Sequence, residues 1–261
     1  MKTALLVSTY NWPEALDLIF RSLLKQKELP DEVLIADDGS GEATKKLIAD
    51  FKAGSTLAVK HVWQEDHGYH KSKILNKAIA ASEADYIIQI DGDCLMHPHF
   101  IHDHKANAEA TTFLFGSRVN IEKQLRDKIM DCKQVNFGFF QKGLQRRTRN
   151  IHFPILGKSY KCSMDLSRKL RGCNISFWRE DFIQINGYNE DMTGWGREDS
   201  EMAARLLHCG VAGKRLRYQG IVYHLWHPIN DRGRDVINSQ IQQQTLEERA
   251  KSCSNGIGKY L

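Results

Sequence analysis

The chain has 261 residues, 41% of them hydrophobic and 26% charged, with a net charge of +5. That is the make-up of an ordinary globular protein, long enough for one large α/β domain or two small ones. No apolar run is long enough to cross a bilayer, which excludes a helical membrane span. The six cysteines contain no Cys-x-x-Cys pair, so reduced thiols in a cytosolic setting are expected.

From the N-terminus, three strand-then-helix units follow one another. Residues 3–9 form an apolar strand that starts too early and turns too soon, at Tyr10-Asn11-Trp12-Pro13, to be a signal peptide. Residues 14–25 carry Leu16, Ile19, Phe20, Leu23 and Leu24 at helical spacing, with Pro13 at the entry. A strand over 32–36 precedes a helix over 42–51, with Ser40 as its candidate cap. A strand over 57–63 precedes a helix over 71–81, whose apolar face is Ile74, Leu75, Ala78 and Ile79. A fourth strand, 86–90, is rich in β-branched and aromatic residues. Alternation of this kind predicts a parallel wound sheet, with ligands beyond the carboxyl ends of its strands.

Polar clusters fall at those ends: Ser8-Thr9-Tyr10-Asn11, Asp37-Asp38-Gly39-Ser40, Gln64-Glu65-Asp66-His67-Gly68 and Asp91-Gly92-Asp93. Each alone reads as an ordinary βα loop; four on one edge read as a site. Asp91 and Asp93 point the same way if the strand continues through them. Two such anions repel, and a hard cation, Mg²⁺ or Mn²⁺, would relieve them. Gly92 lets a ligand approach the backbone. No P-loop and no Gly-x-Gly-x-x-Gly fingerprint is present.

Taken in order, Val7-Ser8-Thr9-Tyr10-Asn11, Ala36-Asp37-Asp38-Gly39-Ser40 and Asp91-Gly92-Asp93 resemble family 2 glycosyltransferases of the GT-A fold. The resemblance covers roughly the first 120 residues. It implies a Rossmann-like α/β domain with a mixed, mostly parallel sheet flanked by helices, and a nucleotide-sugar donor, most often UDP-linked. It further implies that Asp38 holds the uracil or ribose, that Ser8 and Tyr10 line the base, and that Lys73 and Asn76 border the nucleotide.

His97, His99, His102 and His104 fall within eight residues. Pro98 suits the first turn of a helix, and its histidines would then diverge, so a surface helix is expected and not a metal site. Residues 113–119 read as one further strand. Residues 121–170 are expected to hold helices and a loop that vary with the acceptor. They include the basic run Lys142, Arg146, Arg147, Arg149 and the later Lys158, Lys161, Arg168, Lys169 and Arg171. Such a stripe attracts nucleic acid, anionic lipid or a phosphorylated substrate, although a solvated face is the commoner outcome. No nucleic-acid-binding signature accompanies it, so no nucleic-acid partner is expected.

Residues 172–178 read as a strand and 179–185 as a short helix. The Gly194-Trp195-Gly196-Arg197-Glu198-Asp199 stretch then opens a helix with Met202, Ala203, Leu206 and Leu207 on its apolar face. Acids in a first turn are ordinary dipole partners, but a tryptophan beside two carboxylates is also what a sugar site requires. This stretch resembles the Gly-Trp-Gly-Gly-Glu-Asp motif of β-1,4-galactosyltransferases and chondroitin-polymerase-like enzymes, with Arg197 in place of a glycine. The resemblance implies that Trp195 contacts sugar, Glu198 binds acceptor and Asp199 is the catalytic base. Residues 220–228 form a strand ending in two histidines; by the same resemblance His224 ligates the metal with Asp93, Asp91 assisting, which tilts the choice toward Mn²⁺.

The expectation is therefore an inverting, metal-dependent transfer of a hexose or N-acetylhexosamine from a UDP-sugar to a glycan acceptor, in cell-surface polysaccharide or lipopolysaccharide synthesis. Residues 1–120 would form the donor half and 121–230 the acceptor half, with 231–261 a tail that closes over the donor or is loosely held. The setting would be cytoplasmic, with contact to the inner face of the cell membrane at most peripheral. The rivals are an Asp-x-Asp phosphatase and a non-catalytic glycan-binding module.

Overall fold

Strand residues buried on both faces organise the molecule. The computed structural model describes residues 1–228 and 233–261. Its strands are β1 (Thr3–Thr9), β2 (Glu32–Asp37), β3 (Ala58–Trp63), β4 (Tyr86–Asp91), β5 (Cys94–Met96), β6 (Thr112–Phe115), β7 (Ser117–Ile121), β8 (Leu144–Gln145), β9 (Cys162–Ser163), β10 (Asn174–Trp178), β11 (Ala212–Arg215) and β12 (Ile221–His224). The helices are α1 (Pro13–Leu23), α2 (Glu42–Gly54), α3 (Lys71–Ala80), α4 (Phe100–Ala106), α5 (Lys123–Cys132), α6 (Pro154–Gly157), α7 (Arg179–Gln184), α8 (Glu198–His208) and α9 (Asp235–Glu247).

The main sheet runs β3-β2-β1-β4-β10-β6-β11-β9. β1 is parallel to both β2 and β4, and β2 to β3, while β10 lies antiparallel between β4 and β6. This is the expected mixed, mostly parallel α/β sheet. Alternation of side chains sends Ala4, Leu6, Leu34, Ile87, Ile175 and Phe177 to one face, under α3, α7 and α8. Leu5, Val7, Val33, Ile35, Ile88 and Ile90 go to the other, under α1, α2 and α4. Burial on both faces explains why these strands read as mostly apolar runs.

Three expectations change. Residues 113–119 are not one strand: the chain breaks at Gly116, leaving β6 in the main sheet and β7 in a second sheet ordered β5-β12-β7-β8. That small sheet packs Leu95, Val119, Ile121 and Tyr223 against Ala15 and Leu18 of α1. Ser40 does not cap α2, whose N-cap is Gly41. Its Oγ instead accepts a hydrogen bond from Asn11 N (2.9 Å), and Gly41 N donates to Asn11 Oδ1 (2.8 Å), so the pair ties the first two strand-end loops together. The histidine-rich segment does form a helix, but His104 is fully buried, 2.7 Å from Ser176 Oγ and 3.1 Å from Asn174 Oδ1. Burial pushes its imidazole down to about 4, so it is a neutral core residue.

The six cysteines are free thiols. Among the described residues no helix is long and apolar enough to cross a membrane. The expected tail begins at Asp231, which lies outside the described residues. From Asp235 the chain forms α9 against α8, where Thr245 Oγ1 donates to Glu201 Oε1 (3.1 Å). It ends in a 3₁₀ turn, Ile257–Tyr260, against α3.

Candidate active site

Parallel pairing brings the carboxyl ends of β1, β2 and β4 to one edge, with Ser8 opposite Asp91 and Thr9 opposite Asp37. β10 runs the other way, so its entry, at Gly172–Asn174, reaches the same edge. The turns are close there: a Cβ on Gly92 would lie 2.5 Å from Ser8 O, so only glycine fits.

Asp91 does not sit free beside Asp93. Its Oδ1 accepts from Lys71 Nζ at 2.6 Å and from Ser8 Oγ at 3.2 Å. Lys71 also lies 3.7 Å from Glu198 Oε1, so one ammonium joins the end of β4 to the start of α8. Burial opposes the lysine's charge, but Asp91 first and Glu198 after it hold it well above the ordinary lysine range. Glu198 is mostly buried, and desolvation pushes it up to about 7 despite Lys71. The ammonium therefore belongs chiefly to Asp91. Asp199 is oriented by Gly172 N, which donates to its Oδ2 (2.5 Å), and by Ser200 N, which donates to its Oδ1 (2.7 Å). Burial raises its carboxyl above the usual range against the pull of those donors.

Asp93 turns to the other side. Its Oδ2 lies 3.3 Å from His224 Nε2 and 3.1 Å from His227 Nε2, and Cys94 Sγ donates to its Oδ1 (3.1 Å). The three residues place a carboxylate oxygen and two imidazole nitrogens within 4.8 Å of one another. Burial works against the Asp93 charge, yet His224 and His227 hold it well below the usual carboxylate range. A carboxylate plus two imidazoles fits a divalent transition metal. The group differs from the expected set in holding His227 beside Asp93 and His224, while Asp91 contacts Lys71 and Ser8. A cavity of about 280 Å³ beside this group is lined by Arg118, Asn120, Lys123, His224, Trp226 and His227, among others.

Of the residues expected at a nucleotide, Asp38 is buried and accepts from Gln64 Nε2 (2.6 Å) and His70 N (2.8 Å); burial raises its carboxyl. Tyr10 is half-exposed, with its hydroxyl donating to Asp66 Oδ2 at 2.8 Å. Lys73, half-buried on α3, makes none of the contacts of Lys71. Asn76 is not at the cleft. It is fully buried, donating to Tyr188 O (2.8 Å) and Glu190 Oε1 (2.9 Å) and accepting from Tyr188 N (2.8 Å). Its amide is consumed in fixing the loop after α7.

Trp195 is partly exposed on a loop in which Gly194, Gly196 and Arg197 all have positive φ. The loop is tied down by Gly194 N donating to Tyr69 O (3.1 Å) and by Asn238 Nδ2 donating to Gly196 O (3.0 Å). Arg197, at φ +75°, occupies a conformation that favours glycine.

Residues 4–161 match the family model for glycosyl transferase family 2, and residues 155–228 match the one described as the N-terminal domain of galactosyltransferase. Chondroitin synthase from Escherichia coli is 25% identical over 94% of this chain and 38% of its own length. Validoxylamine A glucosyltransferase from Streptomyces hygroscopicus subsp. limoneus is 26% identical over 80% of this chain and 48% of its own. The chain thus spans less than half the length of either relative. Among solved structures, S. aureus TarS 1-349 with UDP-GlcNAc superimposes with a TM-score of 0.58 at 16% identity, over 88% of this chain and 60% of that one. Mannosyltransferase PcManGT from Pyrobaculum calidifontis, solved with GDP-Man and Mn²⁺, gives 0.61 at 16% identity, over 97% and 65%.

Proposed function

We propose that this chain, which belongs to glycosyl transferase family 2 and has the GT-A fold, moves a hexose or N-acetylhexosamine from a UDP-sugar to a hydroxyl of a glycan acceptor, with inversion. The observation that carries this reading is Lys71, which joins Asp91 of the donor-side motif to Glu198 of the Trp195–Asp199 segment beside Asp93, His224 and His227. Two chain segments over a hundred residues apart thus meet at one sheet edge. The name of one relative, a chondroitin synthase, favours a polysaccharide product, and cell-surface polysaccharide or lipopolysaccharide synthesis is the setting we propose. Residues 1–120 serve as the donor half and 121–230 as the acceptor half.

In this reading Tyr10 and Asp38 flank the nucleoside, and Ser8 holds Asp91 in place at its edge. Asp93, His224 and His227 would hold the cation, for which Mn²⁺ is the better fit to imidazole donors. When bound, that cation offsets negative charge on a departing diphosphate. Lys71 holds Asp91 in place by its short contact. Trp195 offers an indole face to the sugar, and Glu198 hydrogen-bonds an acceptor hydroxyl. Asp199, held by two backbone N–H groups, takes the acceptor's proton as its oxygen attacks the anomeric carbon.

The test is a screen of nucleotide sugars for Mn²⁺-dependent hydrolysis and transfer, followed by two variants. Asp93→Ala is expected to abolish transfer and to weaken metal-dependent UDP binding at least roughly tenfold. Asp199→Ala is expected to lower transfer by about 10²-fold or more while UDP binding stays within about twofold. Full transfer by Asp199→Ala removes the base assignment.

A further inference from the structure

Three guanidinium groups meet at residues 117 and 118 of β7. Arg149 Nη1 donates to Arg118 O (3.1 Å), Arg215 Nη2 donates to Ser117 Oγ (3.3 Å), and Arg118 lines the same cavity as His224 and His227. Arg118 and Asn120 share the face of β7 opposite to Val119, which is in the core, and Asn120 is in register with His224. Arg118 therefore lines the cavity beside His224 and His227. Arg217 extends the group, its guanidinium 4.4 Å from the Tyr218 ring.

Four cations packed this way repel, and a fold tolerates them cheaply only beside anions. Among the described residues none of the four makes an ion pair with a carboxylate. Arg215 Nε and Arg217 Nη1 are buried and donate to no partner, and Asn120 Oδ1 accepts from none. Buried donors without acceptors cost free energy until something supplies the acceptors. Burial first, then the charge of the neighbouring arginines, lowers Arg149 below the ordinary range, whereas Arg118 is raised against burial by Cys173, Cys94 and Asp93.

We propose that the acceptor is an anionic glycan whose carboxylate or phosphate is held by Arg118, Arg149, Arg215 and Arg217 beside the reaction centre. This rests on the transferase reading above. Planar guanidinium forks match both anions bidentately, and a compact group of guanidinium forks suits one anionic group on a chain more than a flat lipid surface.

The experiment measures binding of four probes to the full chain: a uronate-containing oligosaccharide, a polyol-phosphate oligomer, a neutral N-acetylhexosamine oligomer, and vesicles of equal parts phosphatidylglycerol and phosphatidylethanolamine. One of the two charged oligomers is expected to bind at least about tenfold tighter than the neutral one, and which one does identifies the anion. Arg149→Gln/Arg217→Gln is expected to remove that preference, and Arg149→Lys/Arg217→Lys to restore part of it. Lys46→Gln/Lys52→Gln, on the remote helix α2, is expected to keep it, as is Mn²⁺-dependent UDP binding in every variant. The glutamine variant relieves repulsion, so its fold is expected to persist; a lysine variant that binds no better than the glutamine one overturns the proposal. So does equal binding of charged and neutral oligomers, or a preference for the vesicles that the glutamine variant abolishes. Loss of UDP binding by the unaltered chain would instead count against the transferase reading and leave the oligomer comparison readable.

Discussion

Glu198 offers a test of the site that needs no substrate. It is buried at the first turn of α8, and its carboxyl is pushed up from 4.5 to about 7 by desolvation, with Asp199 adding to the rise and Lys71 opposing it. A group whose folded pKa is raised binds its proton more tightly in the folded state than in the unfolded one. Its stabilising share is fully present below the unfolded value and is lost as pH rises through the folded value. The window is thus from about 4.5 to about 7, and the displacement is worth roughly 3 kcal/mol between protonation states. Glu198→Gln mimics the protonated form at every pH. Its stability is expected to match that of the unaltered chain near pH 4 and to exceed it by up to roughly 3 kcal/mol at pH 8. Urea denaturation of both proteins across that range reads the difference directly. Asp199 is displaced the same way and interacts with Glu198, so the paired comparison cancels the distant groups and reads this acid pair. A stability difference that stays constant from pH 4 to pH 8 would refute the claim that burial outweighs Lys71 at Glu198.

Asn76→Ala removes three hydrogen bonds from a fully buried amide; a loss of roughly 2–4 kcal/mol in urea denaturation is expected, with UDP affinity of the folded fraction unchanged. Arg205→Met leaves Glu201 as an unpaired buried charge, because Arg205 binds it through Nε and Nη2 (2.8 and 2.7 Å) with both side chains at most 1% exposed. That substitution is expected to cost about 3–5 kcal/mol by the same assay. Arg197→Gly releases a left-handed arginine and gives up only a half-exposed ion pair to Asp235 at 3.3 Å. A stabilisation of about 1 kcal/mol is expected, seen as a higher Tm.

The main sheet was legible because its physics is local. A strand buried on both faces is apolar along most of its length, and 3–9, 32–36 and 86–90 are, with Glu32 and Gln89 as buried polar exceptions; a helix packed on one face must repeat its apolar residues, and the helices between those strands do. The small sheet was not legible for the converse reason. β5 has three residues and β8 two, too few for any period, and β12 is placed by pairing with β5 and β7, far away in sequence. Within residues 113–119 the local marks of the switch are Gly116 and the polar Ser117-Arg118 after it, too weak alone to separate two strands of different sheets. His104 misled in the same way. Four histidines near a helix start look solvated, and only the packing of α4 over Ser176 and Asn174 puts the last one in the core.

The site shows where a local reading stops and where it could have gone further. The aspartates 91 and 93 look equivalent in sequence, yet they part company because Gly92 bends the chain between a lysine on one side and two imidazoles on the other. His227 stood three residues past His224 but in a loop, where strand alternation gives no direction. Lys71 was the residue with a readable signal that went unused. Helix α3 opens Lys71-Ser72-Lys73 and has no acid in its first turn, although the dipole there disfavours cations. A local rule broken at a helix start on the carboxyl edge of the sheet points to compensation by something non-local. Here the compensation is Asp91 at 2.6 Å, with Glu198 beyond it. Lys71→Met should therefore improve the isolated helix and still harm the protein, by leaving Asp91 without its cation. A variant as stable as the unaltered chain that retained full metal-dependent UDP binding would show that the lysine is incidental to the site.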